Sequence, residues 1–109
     1  MHELAITESV IAAVAERVGA SKVTRVQLEI GRLSGVVPDS VRFCFDICAA
    51  GTVLDGAALD IVETPGRAQC GDCWAQVEVD DLLDVCACGS ANLKLESGQE
   101  LRITEVEVA

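Results

Sequence analysis

A chain of 109 residues carries 18 Asp and Glu against eight Lys and Arg, a formal charge of -10, and its aromatic side chains are Phe43, Phe45 and Trp74 alone. The length suits one modest core, the charge opposes nucleic-acid backbones and anionic lipid surfaces, and so few aromatics leave no stacking platform for bases or sugars. No apolar run reaches the roughly 18 residues of a membrane span, and the start MHELAITES lacks the basic stretch of a secretion signal, so a soluble cytoplasmic protein is expected.

Leu4, Thr7, Ile11, Val14 and Val18 recur at helical spacing, and the pattern stops at Gly19, a residue suited to a left-handed cap. Thr24, Val26, Leu28 and Ile30 then alternate with Arg25, Gln27 and Glu29, the signature of a half-buried strand. Gly31 and Gly35 bracket a turn. Pro38 opens a second helix that places Val41, Cys44, Phe45 and Cys48 on one face and stops at Gly51. Cys44 and Cys48 are read as small buried hydrophobes. Leu59, Ile61 and Glu63 mark a second strand ending before Pro65 and Gly66. Short hairpin-like pieces follow up to Cys88, then Leu93 and Leu95 alternate. A final strand runs from Leu101 to Val108, with a phase slip near Thr104 and Glu105 that predicts a bulge or burial on both faces.

The expected fold is α+β: a small mixed β-sheet with two helices, interrupted by a zinc-ribbon-like module. Residues 1–67, completed by returning strands in 91–109, would form one domain and residues 68–90 the other. An open edge at 101–108 leaves room for weak pairing between two chains.

Six cysteines in a reducing compartment point to metal or redox chemistry rather than a disulfide framework. Cys70 and Cys73 form C-x2-C, and Cys86 and Cys88 form a tighter C-x-C after twelve intervening residues. Two facing thiolate pairs can close a tetrahedron around Zn2+, and an insert so poor in apolar residues needs a metal to fold. Gly71 and Gly89 would let amide groups turn toward sulfur. An iron electron-transfer centre and a dithiol redox pair are the competing readings of the same four residues.

His2 is the one imidazole in the chain. Next to the amine of Met1 it makes a chelator, since that amine, the His2 amide and the imidazole Nδ1 would close five- and six-membered rings on Ni2+ or Cu2+. A zincin motif is excluded, because Ile6 stands where its second histidine would be.

Met1-His2-Glu3 before a helix, the Gly31 to Gly35 turn, Val37-Pro38 through Phe43-Cys44-Phe45-Asp46, Gly51-Thr52, Asp55-Gly56-Ala57 and the late cysteine pairs together resemble the HypA family of nickel metallochaperones for nickel-iron hydrogenase maturation. The likeness runs through essentially the whole chain. It implies nickel held as transient cargo by the His2 imidazole and the backbone nitrogens of Met1, His2 and Glu3, and structural zinc held by Cys70, Cys73, Cys86 and Cys88. It also implies a protein that is not an enzyme and that works with a maturation GTPase toward the hydrogenase large-subunit precursor, or toward urease in some members. The chain departs from the family's usual second C-x2-C pair, since position 85 is Val85. The alternative function is a zinc-ribbon interaction module without nickel delivery.

Overall fold

A computed structural model describes residues 2–109. Helix α1 spans His2–Val18 and buries Glu3, Thr7, Val10, Ile11 and Val14. The buried stripe is rotated from the one expected: Val10 and Glu3 lie inside, whereas Leu4 faces outward. Thr7 is carried inside with its hydroxyl satisfied, donating to the Glu3 carbonyl oxygen at 2.7 Å, so its burial leaves no unpaired polar group. Strand β1 (Val23–Gly31) buries Val23, Val26, Leu28 and Ile30. Thr24, expected on that inner face, is exposed, and its Oγ1 donates to the Glu107 carbonyl oxygen at 3.2 Å.

Helix α2 (Pro38–Ala49) begins with proline at a position where the missing N–H is not needed. It buries Val41, Phe45 and Ala49 and packs against α1. Cys44 and Cys48 stay half-buried at the margin of that face rather than within it. At the helix end, the Thr52 Oγ1 donates to the Ala49 carbonyl oxygen at 2.7 Å, satisfying an acceptor the last turn leaves open. Leu54 and Ala57 complete the buried set before strand β2 (Ala58–Thr64).

One sheet has the order β2-β1-β6, with β6 spanning Leu101–Val108, and the other has the order β4-β3-β5. Along β1 the partners on β6 fall in number, from Glu107 at Thr24 to Thr104 at Gln27 and Arg102 at Glu29, so β6 runs antiparallel. The partners on β2 rise, from Asp60 at Arg25 to Thr64 at Arg32, so β2 runs parallel, and α2 is the crossover such a pair requires. The first sheet is therefore mixed. Its β6 edge is not buried on both faces, as the phase slip suggested; almost every residue of it is exposed. Charge occupies that edge instead: Glu107 and Glu105 of β6 meet Arg25 of β1 at 3.1 Å and 3.4 Å, and Arg102 of β6 meets Glu29 at 2.5 Å. Pairs this exposed add little stability, but carboxylates along an open edge oppose pairing with another acidic copy.

The second sheet is built on β3 (Gly66–Cys70), which pairs antiparallel with β4 (Gln76–Val79) and with β5 (Leu93–Ser97). Its register sets Cys70 opposite Leu93 and Gln69 opposite Gln76, with an irregularity between Arg67 and Ala68. Two compact units result. One contains the chain up to Glu29, Val37–Val62 and Arg102–Ala109; the other contains Ile30–Val36 and Glu63–Leu101. The second is larger than the 68–90 insert expected from sequence, because β5, read as part of the returning strands of 91–109, pairs with β3 instead. Alternation of Leu93 and Leu95 identifies a strand but not the sheet that it joins.

Gly31 shows how tightly the second unit is closed. A Cβ placed there would stand 2.0 Å from the Gly98 carbonyl oxygen and 2.7 Å from the Gln99 nitrogen, while Gly98 itself, at φ 109°, lies against Gly66. Backbone carbonyls cannot swing aside as a side chain can. Gly31→Ala is therefore expected to destabilise the protein by about 3 kcal/mol, in the range of overpacked sites that force backbone shifts. Thermal melting checks this, and an unchanged midpoint would contradict the close packing described.

Candidate metal centres

Cys70 ends β3, and Cys73 follows it in a tight turn closed by the Trp74 N–H donating to the Cys70 carbonyl oxygen at 3.0 Å and the Cys70 N–H donating to that of Ala75 at 2.9 Å. A matching turn carries Cys86 and Cys88, closed by the Gly89 N–H on the Cys86 carbonyl oxygen and the Cys86 N–H on the Ser90 carbonyl oxygen, both at 2.8 Å. In each turn the residue after the second cysteine is left-handed: Gly89 at φ 91°, and Trp74 at φ 66°. Gly71 has a different use from the one expected. A Cβ there would come within 2.3 Å of the Asn92 side-chain nitrogen, so it is small because a neighbouring segment lies close.

These turns bring Cys70, Cys73, Cys86 and Cys88 together, with all four sulfurs within 4.8 Å of one another. Cys70 and Cys88 Sγ lie 3.7 Å apart, and Cys73 and Cys86 Sγ 3.5 Å. The edge of a tetrahedron with Zn–S bonds of about 2.3 Å is about 3.8 Å, so the donor set fits a zinc ion. The shorter C-x-C pair closes the cluster as well as C-x2-C does, because Cys86 and Cys88 each approach a different sulfur of the first pair.

Electrostatics within the cluster support the same reading. The N–H groups of Cys73 and then Asp72 donate to the Cys70 sulfur and bring its pKa down to about 6. For Cys88 the Ser90 N–H pulls the same way, but Cys86 and Cys70 outweigh it and push the thiol up to about 12; Cys73 is also raised, the Ala75 N–H being outweighed by Cys86 and Cys70. Four adjacent sulfurs cannot all carry negative charge without a cation among them. A divalent ion resolves the conflict by replacing the shared protons. Cys70 and Cys86 are buried and Cys73 and Cys88 exposed, so the cluster supplies part of its unit's core.

The other candidate centre lies at the start of α1. Met1 falls outside the described residues. His2 is exposed and is the first helical residue, not a residue preceding the helix. Its position has three chemical consequences. Amide N–H groups in a first turn have no carbonyl partner within the helix, so deprotonating the His2 and Glu3 nitrogens breaks no helical bond. The positive end of the helix dipole also favours the anionic nitrogens that result, and a helical Cβ tilts toward the N-terminus, carrying the imidazole that way.

The Glu3 side chain points inward. It is only 9% exposed and accepts a hydrogen bond from the Val37 N–H at 3.4 Å on Oε2. Beside it, Leu4, Asp39, Ser40, Phe43 and Cys44 line a shallow cavity of about 380 Å³. Sequence reading missed this hollow because Leu4 and Phe43 look like core residues by type.

Residues 1–108 match the family described as hydrogenase/urease nickel incorporation, metallochaperone, HypA. The chain is similar to the hydrogenase maturation factor HypA of Trichormus variabilis, at 51% identity over 108 residues, covering 99% of this chain and 96% of that protein. It is 46% identical over 109 residues to the factor of the same name from Geobacter metallireducens, covering 99% of each. Among solved structures, the solution structure of the Ni metallochaperone HypA from Helicobacter pylori superposes with a TM-score of 0.66 at 28% identity, covering 99% of this chain and 97% of that one.

Proposed function

The chain belongs to the HypA family of nickel metallochaperones, and from that premise we propose that it holds Ni2+ through Met1, His2 and Glu3 while Cys70, Cys73, Cys86 and Cys88 hold a structural Zn2+. Its function is nickel delivery for hydrogenase maturation, with two kinds of site suited to two kinds of task. The observation that carries the assignment is the placement of the chain's one imidazole on the exposed first residue of a helix. Nitrogen donors of this kind suit Ni2+, whereas the sulfur cluster suits Zn2+.

An exposed His2 imidazole also suits transfer, because a receiving protein can replace that ligand first. The recipients in this reading are a maturation GTPase and the hydrogenase large-subunit precursor, encountered in the cytoplasm, and the protein performs no catalysis of its own. No helix among the described residues is long and apolar enough to cross a membrane.

Calorimetric titration of the zinc-loaded protein with Ni2+ tests the donor set. One-to-one binding is expected, weakened about tenfold or more by an extension that converts the Met1 amine to an amide and unaffected by the same extension after Ala109. Equal affinity with both extensions would remove the amine from the ligand set.

A further inference from the structure

The segment that returns from β4 to the cysteines carries apolar side chains that no core accounts for. Leu82 is 62% exposed, Leu83 88% and Val85 58%, and Trp74 at the metal end is 72% exposed. The segment is nevertheless tightly built. One Asp84 carboxylate oxygen, Oδ2, accepts the N–H groups of Asp80 at 2.8 Å and Asp81 at 3.2 Å, and Asp81 Oδ1 accepts that of Leu83 at 2.8 Å. A turn fixed by its own carboxylates thus presents two leucines to water.

Trp74 adds a second anomaly. It occupies a left-handed conformation that a bulky side chain adopts at a cost, at the position where the other cysteine turn has glycine. Trp74 follows Cys73 and Val85 precedes Cys86, and those two sulfurs lie 3.5 Å apart. Trp74 and Val85 therefore flank one edge of the metal cluster, and Leu82 and Leu83 lie on the segment that returns to it. The surroundings are mainly acidic: Asp72, Glu78, Asp80, Asp81 and Asp84 lie in a stretch with no Lys or Arg between Arg67 and Lys94, and although Arg32 meets Glu78 at 3.9 Å and Asp80 at 3.7 Å, the carboxylates outnumber it.

We propose that Trp74, Leu82, Leu83 and Val85 form a docking strip for a basic protein segment, one that alternates aliphatic anchors with Lys or Arg. The leucines and tryptophan enter its apolar face while the carboxylates meet its cations, the pattern of an interface with a few apolar anchors and a charged rim. A second copy of the chain is a poor occupant, since it would bring the same carboxylates against themselves. Anionic lipid is repelled for the same reason. The strip uses none of the residues assigned to nickel, so it stands or falls separately from that assignment.

Trp74 is the one tryptophan in the chain, so its fluorescence reports on the strip directly. The test titrates the zinc-loaded, full-length protein with three synthetic peptides, alternating Leu and Lys, Leu and Glu, or Ser and Lys. The Leu/Lys peptide is expected to shift Trp74 emission to the blue and saturate, the Leu/Glu peptide to have no effect, and the Ser/Lys peptide to bind at least about tenfold more weakly, as loss of anchor residues implies. Leu82→Ser with Leu83→Ser should weaken the Leu/Lys peptide about tenfold or more with zinc content and nickel affinity unchanged, because neither leucine is in the core. Phe43→Ser, at a separate exposed site, should change nothing. Undiminished binding by the double variant, equal binding of the Ser/Lys peptide, or loss of binding with Phe43→Ser would each overturn the proposal. So would a fall in self-association of the double variant by sedimentation, which would make a second copy the occupant.

Discussion

His2→Ala is expected to lose tight nickel binding while zinc content and fold stay as they are. The imidazole is the one side-chain nitrogen of its kind in the chain, and it stands exposed on the first residue of α1. Removing it costs no burial. Loss of even an outer-shell partner lowers metal affinity about 10–100-fold, so loss of a directly bound nitrogen should exceed that range. Acid should act in the same direction. Binding needs a neutral imidazole and amide nitrogens freed of their protons, so protons compete with the metal and affinity falls as pH falls. Calorimetric titration of native and variant proteins, each already loaded with zinc, separates the possibilities. Undiminished one-to-one affinity in the variant would leave a zinc-ribbon interaction module as the better reading.

Glu3→Gln provides a control on the same turn. Its carboxylate accepts a hydrogen bond from the Val37 N–H, and the substitution removes its charge while keeping its size. Nickel affinity is expected to change by less than about tenfold, since the Glu3 backbone nitrogen is retained. A loss as large as that of His2→Ala would mean that the carboxylate itself reaches the metal.

The features legible in the sequence were those that depend on local spacing. Leu28 and Ile30 alternate because the strand has a period of two, and Pro38 opens a helix because its fixed φ and missing N–H suit that position. The C-x2-C and C-x-C pairs announced a metal cluster, and the four sulfurs converge. Features that depend on distant partners were not legible. The pattern ends a strand before Pro65 and marks none in Gly66–Cys70, yet this is the central strand of the second sheet, because β4 and β5 both pair with it. Leu4 falls on the buried stripe by its spacing and is exposed, which only the finished packing reveals. Glu3 looks like a surface carboxylate and is buried, since the N–H that receives it lies 34 residues away.

The same distinction bears on the larger expected effect, that of Cys86→Ser, which should strip zinc from the protein and disorder the second sheet. The hydrophobic interior of that unit is small: Ile30, Ala68, Val79 and the two cysteines Cys70 and Cys86 are its buried residues of this class. An aliphatic side chain contributes about 1.5–3 kcal/mol when fully buried, whereas a structural zinc contributes about 10–16 kcal/mol in small zinc modules. The metal term is therefore dominant. Serine keeps the volume but offers a hydroxyl that is a poor zinc ligand, and it leaves Cys73 without the sulfur 3.5 Å away that shares its ion. Protonation should mimic the substitution. Protons compete with the metal for the four thiolates, so zinc retention should decline as pH falls. Metal analysis and amide exchange over residues 66–97 read both effects. The expected result is zinc loss with exchange protection lost in β3, β4 and β5 but kept in α1 and α2. A Cys86→Ser protein that retained one tightly bound zinc and full protection in β3 would show that the cluster closes without Cys86, and that the unit is held by its small apolar interior after all.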